Sequence, residues 1–161
     1  MLALVWATFA LAGPALSGNF QLAEDPASLQ ATHAAAVDAA VASMAWLMRP
    51  IARPFLKNSV KNCARMQLDL TGEVFRLQCD AQPPLVRPIG PARTELVGDD
   101  GETYGVGLEV TDAWVQLTFT GERGGQKSRF EPQADGSVLL RKEIFSGHLP
   151  EPIVWTVRYR P

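Results

Sequence analysis

Residues 63–80 read CARMQLDLTGEVFRLQCD, and this stretch determines the predicted fold class. Apolar and polar residues alternate on both sides of Thr71-Gly72, which is typical of strands that bury one face. Thr71-Gly72 reads as a hairpin turn, because glycine accepts the backbone conformations that tight turns require. The stretch therefore predicts two antiparallel strands, at 63–70 and 73–80.

The two cysteines of the chain, Cys63 and Cys79, flank this hairpin. Cross-strand neighbours are close enough for a disulfide, and two cysteines in an exported protein usually pair. We expect the Cys63–Cys79 disulfide, and two buried free thiols are the alternative.

The register of the hairpin stays open at this point. A two-residue turn at Thr71-Gly72 places Met66 opposite Leu77 but leaves the cysteines one residue out of register. A three-residue turn, with Gly72 in the left-handed conformation, aligns the cysteines and splits the apolar face. A β-bulge near the open end of the hairpin would satisfy both requirements.

The alternating pattern continues to the C-terminus, and short links rich in Gly, Asp and Thr separate its segments. With no helix between them, these strands predict an antiparallel meander that closes into a barrel or curls into a half-barrel. The proline-rich stretch at 83–91 is a loop or a ragged edge strand. The eight candidate strands are 63–70, 73–80, 92–97, 103–110, 113–120, 126–131, 137–145 and 153–160.

A helical segment at 26–62 is predicted to precede the sheet. Asp25 can cap a first helix over 26–48, and Pro26 suits its first turn. Arg49-Pro50 is predicted to end this helix, and a shorter second helix is predicted over 54–61. The apolar face of the first helix is predicted from Leu29, Ala36, Ala40, Met44 and Leu47.

The N-terminal residues 1–17 resemble a secretory signal peptide. MLALVWATFALAG carries no charged side chain, and Ala15-Leu16-Ser17 is a small-x-small cleavage pattern before Gly18. We expect an exported protein, periplasmic or secreted, whose mature domain spans 18–161. The alternative is that this stretch is a buried first element of the mature protein.

Composition narrows the functional classes. A chain of 161 residues fits one domain, and 47% apolar residues exclude a disordered chain. The formal net charge of −2 argues against nucleic acid as a partner. Composition does not predict an oligomeric state.

At the level of architecture, residues 63–161 resemble the calycins, the lipocalin and fatty-acid-binding-protein group of small β-barrels. Val110-Thr111-Asp112-Ala113-Trp114 is similar to the lipocalin T-D-Y signature, and the closing Tyr159-Arg160 is similar to the end of fatty-acid-binding proteins. This resemblance implies a hydrophobic cavity for a small molecule or lipid.

Aromatic residues of the predicted strands are candidates for lining such a cavity, since apolar ligand sites need aromatic and aliphatic walls. The same residues also suit any packed β core, so core packing is the alternative. From the set Tyr104, Trp114, Phe119, Phe130, Trp155 and Tyr159, we take Tyr104, Trp114, Phe119 and Trp155 as candidate ligand contacts.

Basic residues recur every four positions, which on a helix produces a stripe of positive charge. The stripe predicts contact with an anionic membrane surface or polymer. The alternative is a solvated face whose charges pair with acidic residues. Pro50 and Pro54 are expected to interrupt the helix. The five residues are Arg49, Arg53, Lys57, Lys61 and Arg65.

Catalytic and metal motifs are not recognisable. Neither His33 nor His148 has a nucleophile motif around it, and the chain has no HExxH. The acidic run 99–102 lacks the ligand spacing of a calcium loop and reads as a hairpin tip. We therefore expect no cofactor, no metal and no enzyme, although carboxylates distant in sequence can meet in space.

Two hypotheses follow from the sequence. The first is an exported protein that binds an apolar or amphipathic ligand in a lipocalin-like cavity. The second is an envelope interaction protein with a filled core that docks through the basic 49–65 segment. An empty interior above a few hundred Å³ would favour the first hypothesis.

Overall fold

The structure is a computed structural model that describes residues 16–60, 62–90, 92–98 and 101–161. Within these residues the chain forms ten strands and two helices. In chain order they are β1 (Gly18–Leu22), α1 (Pro26–Ser43), α2 (Arg49–Ser59), β2 (Arg65–Thr71), β3 (Val74–Cys79), β4 (Leu85–Pro88), β5 (Thr94–Val97), β6 (Thr103–Val110), β7 (Val115–Thr120), β8 (Gly124–Pro132), β9 (Val138–Ser146) and β10 (Ile153–Arg160).

All the described strands belong to one antiparallel sheet with the order β4-β3-β2-β1-β10-β9-β8-β7-β6-β5. Strand β1 pairs with both β2 and β10, which joins the first strand to the last. Strands β4 and β5 are the two edges of the described sheet. The sheet curls into a half-barrel, as the strand pattern predicts.

The predicted number of strands and the position of the helices were wrong. The described sheet has ten strands rather than eight, and both helices lie between β1 and β2 rather than before the sheet. Strand β1 escaped prediction because five residues, GNFQL, are too short for a clear period, and both partners are distant in sequence. Strand β4 lies within the proline-rich stretch and is an edge strand, one of the two alternatives considered for it.

The first helix begins as predicted and ends earlier. The carboxylate of Asp25 accepts a hydrogen bond from the backbone N–H of Ser28, and Pro26 lies in the first turn. The helix ends at Ser43 rather than at residue 48, because Met44 has an extended backbone. Helix α2 starts at Arg49, five residues before the predicted start.

Two further details of the helices differ from prediction. The prolines do not break α2, since Pro50 lies in its first turn and Pro54 inside it. The fully buried residues of α1 are His33, Val37 and Val41. The predicted face is correct for Leu29, Ala36, Ala40 and Met44, which pack against the core, but Leu47 is 64% exposed.

The hairpin of β2 and β3 turns at Gly72-Glu73, one residue later than predicted. Thr71 pairs with Val74, and Gly72 has a φ of 58°, which glycine adopts without strain. Met66 therefore lies opposite Cys79 rather than opposite Leu77.

The predicted disulfide is present, with a Cα–Cα distance of 5.3 Å between Cys63 and Cys79. It forms without direct cross-strand alignment, because the chain leaves the regular ladder at Asp80. The carboxylate of Asp80, at a φ of 48°, accepts hydrogen bonds from the backbone N–H groups of Ala64 and Arg65.

The residues just before β1 contact the sheet. Leu16 is buried in the core, and the Ser17 hydroxyl accepts a hydrogen bond from the backbone N–H of Leu70 at 3.1 Å. Among the described residues, neither helix is long and apolar enough to cross a membrane.

Candidate functional site

The half-barrel has two different ends, set by the alternation of its turns. The β2–β3, β4–β5, β6–β7 and β8–β9 connections lie at one end, which we call the closed end. The β5–β6, β7–β8 and β9–β10 connections lie at the other, the open end, where the helices cross the interior. Side chains fill the closed end. Phe75 and Phe130 pack there at 5.8 Å between ring centroids, and both are at most 1% exposed.

The open end contains a cavity of about 770 Å³, partly open to solvent, between the helices and strands β5 to β9. Cavities of small-molecule sites are typically about 300–1,000 Å³. The apolar lining residues are Met44, Met48, Ala52, Leu56, Leu96, Tyr104, Phe119, Ile144, Phe145 and Leu149.

Polar groups gather at the mouth of the cavity. Arg123 forms an ion pair with Glu102 at 3.7 Å, and its side chain is 79% exposed. The Ser146 hydroxyl donates to the backbone carbonyl of Arg123 and accepts from the backbone N–H of His148. These contacts tie the β7–β8 connection to the β9–β10 connection and hold the mouth in shape.

The wall of the cavity requires glycine at one position. A Cβ atom on Gly125 would collide with the backbone oxygen of Phe119 and lie 2.6 Å from the Phe145 ring. The absence of a side chain lets the Phe119 backbone and the Phe145 ring approach β8 closely.

A polar layer lies directly below the cavity. Gln126, which lines the cavity, donates a hydrogen bond to the Ser128 hydroxyl at 3.1 Å. Ser128 is the cross-strand partner of Lys142, whose other partner is Trp155. The Lys142 ammonium lies 5.9 Å from the Trp155 ring centroid, and burial lowers its pKa to about 8.

Helix α1 is joined to this layer by aromatic and polar contacts. The buried His33 ring meets Trp155 edge to face at 5.4 Å, and its Nε2 lies 3.4 Å from the Asn62 amide nitrogen. The Trp155 indole N–H donates to the Asn62 amide oxygen at 3.4 Å. Burial, and secondarily the charge of Lys142, lower the pKa of His33. Its neutral form is therefore favoured.

Two of the four aromatic residues predicted as ligand contacts line the cavity. Tyr104 and Phe119 do so. Trp155 lies in the polar layer below it, and Trp114 lies at the closed end, where the Arg129 guanidinium stacks 4.3 Å from its ring centroid.

The predicted basic stripe is not one helix face. Arg65 lies in β2, Lys61 lies outside the described residues, and α2 carries the other three. Arg49 donates to the backbone carbonyls of Met44 and Ala42, at 3.1 and 2.8 Å. Arg53 pairs with Asp38 at 3.3 Å, with both side chains half-exposed.

Several cavity residues were not predicted from the sequence. Ile144 lies within a predicted strand, at alternate positions with Val138, Leu140 and Lys142 of the polar layer, so alternation could have placed it inside. Met48 and Leu56 carried no such signal, because their role depends on how α2 lies over the sheet.

Comparison with known proteins finds similar solved structures but no family. No protein family model and no curated protein matches the chain. Among solved structures, human cRBP IV is similar over 89% of this chain and 96% of that chain, with 13% identity and a TM-score of 0.48. That protein is a cellular retinol-binding protein with the calycin fold. The curled antiparallel sheet itself agrees with the predicted barrel-like architecture, and no family, function or residue role is taken from this similarity.

Proposed function

We propose that the protein is an exported, non-enzymatic carrier that holds one apolar or amphipathic molecule in the cavity at the open end. The observation that carries the proposal is the cavity itself, about 770 Å³ with mainly apolar side chains in its wall. A filled interior would have favoured the interaction protein considered from the sequence.

The mechanism is physical binding. Apolar ligand surface that leaves water contributes roughly 25 cal/mol per Å², before the costs of association. Part of the cavity wall can adapt to ligands of different shape, because methionine is flexible and polarizable. This part is formed by Met44, Met48 and Leu56. Helix α2 covers the cavity, so its movement away from the sheet is the proposed route of entry.

Export is part of the proposal and rests on the residues 1–17 and the disulfide. Disulfides persist in oxidising compartments. The expected mature chain begins at Gly18, which is also the first residue of β1. N-terminal sequencing of the secreted protein checks this cleavage site. A mature chain that retains Leu16 would contradict cleavage before Gly18 and would make this buried residue part of the mature core.

The test is native mass spectrometry of the mature protein, purified from an oxidising compartment without detergent. We expect an adduct of small-molecule mass that organic solvent releases. The neutral probe N-phenyl-1-naphthylamine should then bind to the emptied protein with a rise in fluorescence.

A cavity-filling variant makes the test specific. Ala52→Trp places an indole into the cavity, and we expect probe affinity to fall at least tenfold. Ala35→Trp makes the same change on the exposed face of α1 and should leave binding unchanged. A protein with no adduct and no probe uptake, or equal binding by both variants, would contradict the proposal.

Docking on an anionic membrane is a second candidate function. Trp46 and Leu47, which are 73% and 64% exposed in the connection between the helices, favour it, because both suit the membrane interface. The basic segment contributes less charge than its sequence suggests, since Arg49 and Arg53 have partners within the chain. Co-sedimentation with phosphatidylglycerol vesicles, and its loss in Trp46→Ser, would support docking; equal recovery with and without vesicles would exclude it.

A further inference from the structure

A second, smaller pocket lies on the outer face of the half-barrel. Each residue that lines it is next in sequence to a buried residue, and successive side chains of a strand point to opposite faces. The pocket is therefore separate from the cavity beneath the helices. Its volume is about 180 Å³, below the 300–1,000 Å³ of whole small-molecule sites, so it suits one chemical group. The lining residues are Gln116 of β7, Lys127 and Arg129 of β8, and Arg141 and Glu143 of β9.

Two arginines of this pocket lie directly opposite each other. Arg129 of β8 is the cross-strand partner of Arg141 of β9. The Cβ atoms of such partners are about 4.5–5.5 Å apart, and like charges at these positions destabilise a sheet. The carboxylate that lines the pocket does not relieve this repulsion, because Glu143 pairs with the Lys127 ammonium at 2.8 Å.

The Arg129 side chain is held in place by two neighbours. Its Nε donates a hydrogen bond to the Gln116 side-chain oxygen at 3.1 Å, and its guanidinium stacks 4.3 Å from the Trp114 ring centroid. The two terminal nitrogens of the guanidinium make no hydrogen bond to the described residues. A guanidinium that is already ordered loses less conformational freedom when these nitrogens bind a ligand.

The Arg141 side chain is exposed, and within the described part of the chain it has no hydrogen bond and no ion pair. It is therefore free to turn toward Arg129 across the pocket. An anionic group between the two side chains would receive hydrogen bonds from both guanidinium groups and would remove the repulsion between them.

The charge of the pocket matches a dianion. Its lining has three cations and one carboxylate, which gives a net charge of +2. A phosphate group carries about −1.5 to −2 near pH 7 and offers three strong acceptor oxygens. Glu109 and Glu131 are the nearest other carboxylates of the outer face, but they do not line the pocket and form no ion pair among the described residues. They lower the positive potential, so we expect binding that weakens with salt.

We propose that the outer pocket binds a phosphate or sulfate group, which bridges Arg129 and Arg141 and receives a further hydrogen bond from Lys127. Planar guanidinium groups match such oxyanions with pairs of parallel hydrogen bonds, and the Lys127 ammonium has donors beyond the one that Glu143 accepts. This site goes beyond the proposed function and does not depend on it, since the pocket and the cavity lie on opposite faces of the sheet.

The test is a titration of the 15N-labelled mature protein with inorganic phosphate at pH 7.5, followed by NMR. Sodium chloride at the same ionic strength is the reference. We expect saturable shifts of the backbone amides of Arg129 and Arg141 and of the Trp114 indole N–H, with phosphate bound at least tenfold more tightly than chloride. Equal responses to both salts would show screening alone and would overturn the proposal.

Variants make this test specific to the pocket. Arg141→Gln and Arg129→Gln should each weaken phosphate binding at least tenfold. Arg160→Gln is the matched control, because Arg160 is an exposed arginine of β10 outside the pocket, and its affinity should stay within twofold. Unchanged affinity in Arg141→Gln, or an equal loss in Arg160→Gln, would overturn the proposal.

Binding of N-phenyl-1-naphthylamine separates this proposal from the proposed function. All three variants should retain it, because none of the substituted side chains lines the cavity. Retained binding of this probe also shows that a variant is folded. Loss of the phosphate site with retained probe binding in the wild type would overturn the outer site alone.

Vesicles distinguish two sources of the phosphate group. The protein is sedimented with phosphatidylcholine vesicles that contain or lack phosphatidic acid. Co-sedimentation that phosphatidic acid adds and Arg141→Gln removes would support the proposal with a lipid headgroup as the ligand. Phosphate binding in solution without co-sedimentation would support it with a soluble phosphate or sulfate ester. Absence of both would overturn the proposal.

Discussion

The two ends of the half-barrel are built from the same kind of strand but differ in packing. Side chains fill the closed end, whereas the open end contains a cavity. At the closed end, Phe75, Val115, Phe130 and Val138 are at most 1% exposed and interlock across the interior. At the open end the inward side chains of Tyr104, Leu96 and Phe119 remain partly exposed and line a cavity instead. The closed end therefore provides stability, which allows the open end to leave an unfilled cavity.

This division separates stability from binding, and substitutions can test the separation. A residue of the closed end should affect unfolding and leave binding alone. A residue of the open end should do the reverse, because the space around it is already incompletely filled.

The largest expected effect is that of Phe75→Ala. Removal of a fully buried ring should lower the free energy of unfolding by about 3–5 kcal/mol. Phe119→Ala should cost about 1–2 kcal/mol, since part of the ring faces the cavity, and it should change probe affinity more than Phe75→Ala does. Urea denaturation and probe titration measure the two quantities. Equal losses of stability in both variants would contradict the division between the ends.

The sequence was informative where a strand is long and one face is buried. The predicted 103–110 and 153–160 coincide with β6 and β10, because their alternation follows the pleat of the strand. Strand β1 has five residues and obtains its order from β2 and β10, so its pattern alone is too weak. The hairpin register failed for a related reason: Gly72 suits more than one turn, and packing decides among them.

The cavity was predictable in kind and only partly in detail. Alternation placed Phe119 and Tyr104 correctly on an inward face, but it could not distinguish cavity wall from packed core. That distinction depends on where the helices cross the open end. Helix α1 ends at Ser43, where Met44 becomes extended, and the Arg49 guanidinium donates to the carbonyls of Ala42 and Met44 at this end.

The buried Lys142 lowers the stability of the polar layer below the cavity, and this effect depends on pH. The pKa of Lys142 is lowered from 10.5 to about 8, so the unfolded chain binds more protons than the folded one above pH 8. Burial of the charged Lys142 therefore destabilises the protein fully below about pH 8. This destabilisation is lost as pH rises from about 8 to 10.5. Lys142→Met should raise the free energy of unfolding at pH 7 by about 1–3 kcal/mol and reduce this dependence.

Urea denaturation at pH 7 and pH 10 measures both effects of the lysine. Lys127→Met removes an ion pair of the outer face and should change stability by less than about 1 kcal/mol at either pH. A stabilised Lys142→Met would mean that the polar layer below the cavity retains a costly buried charge. A destabilised variant would assign Lys142 to the packing of the polar layer.

The smallest expected effect separates the two arginines of α2. Arg49 donates two hydrogen bonds to carbonyls near the end of α1, at 3.1 and 2.8 Å, whereas Arg53 forms an exposed ion pair with Asp38. Arg49→Met should cost about 1 kcal/mol, and Arg53→Met less than about 0.5 kcal/mol. Because Arg49 holds the helices over the cavity, its loss should also speed the exchange of amide hydrogens in both helices and the release of a bound probe. In Arg49→Met, the amides of the helices could instead exchange more slowly than those of β6 and β10. The helices over the open end would then be at least as rigid as the sheet, and entry past α2 would be excluded.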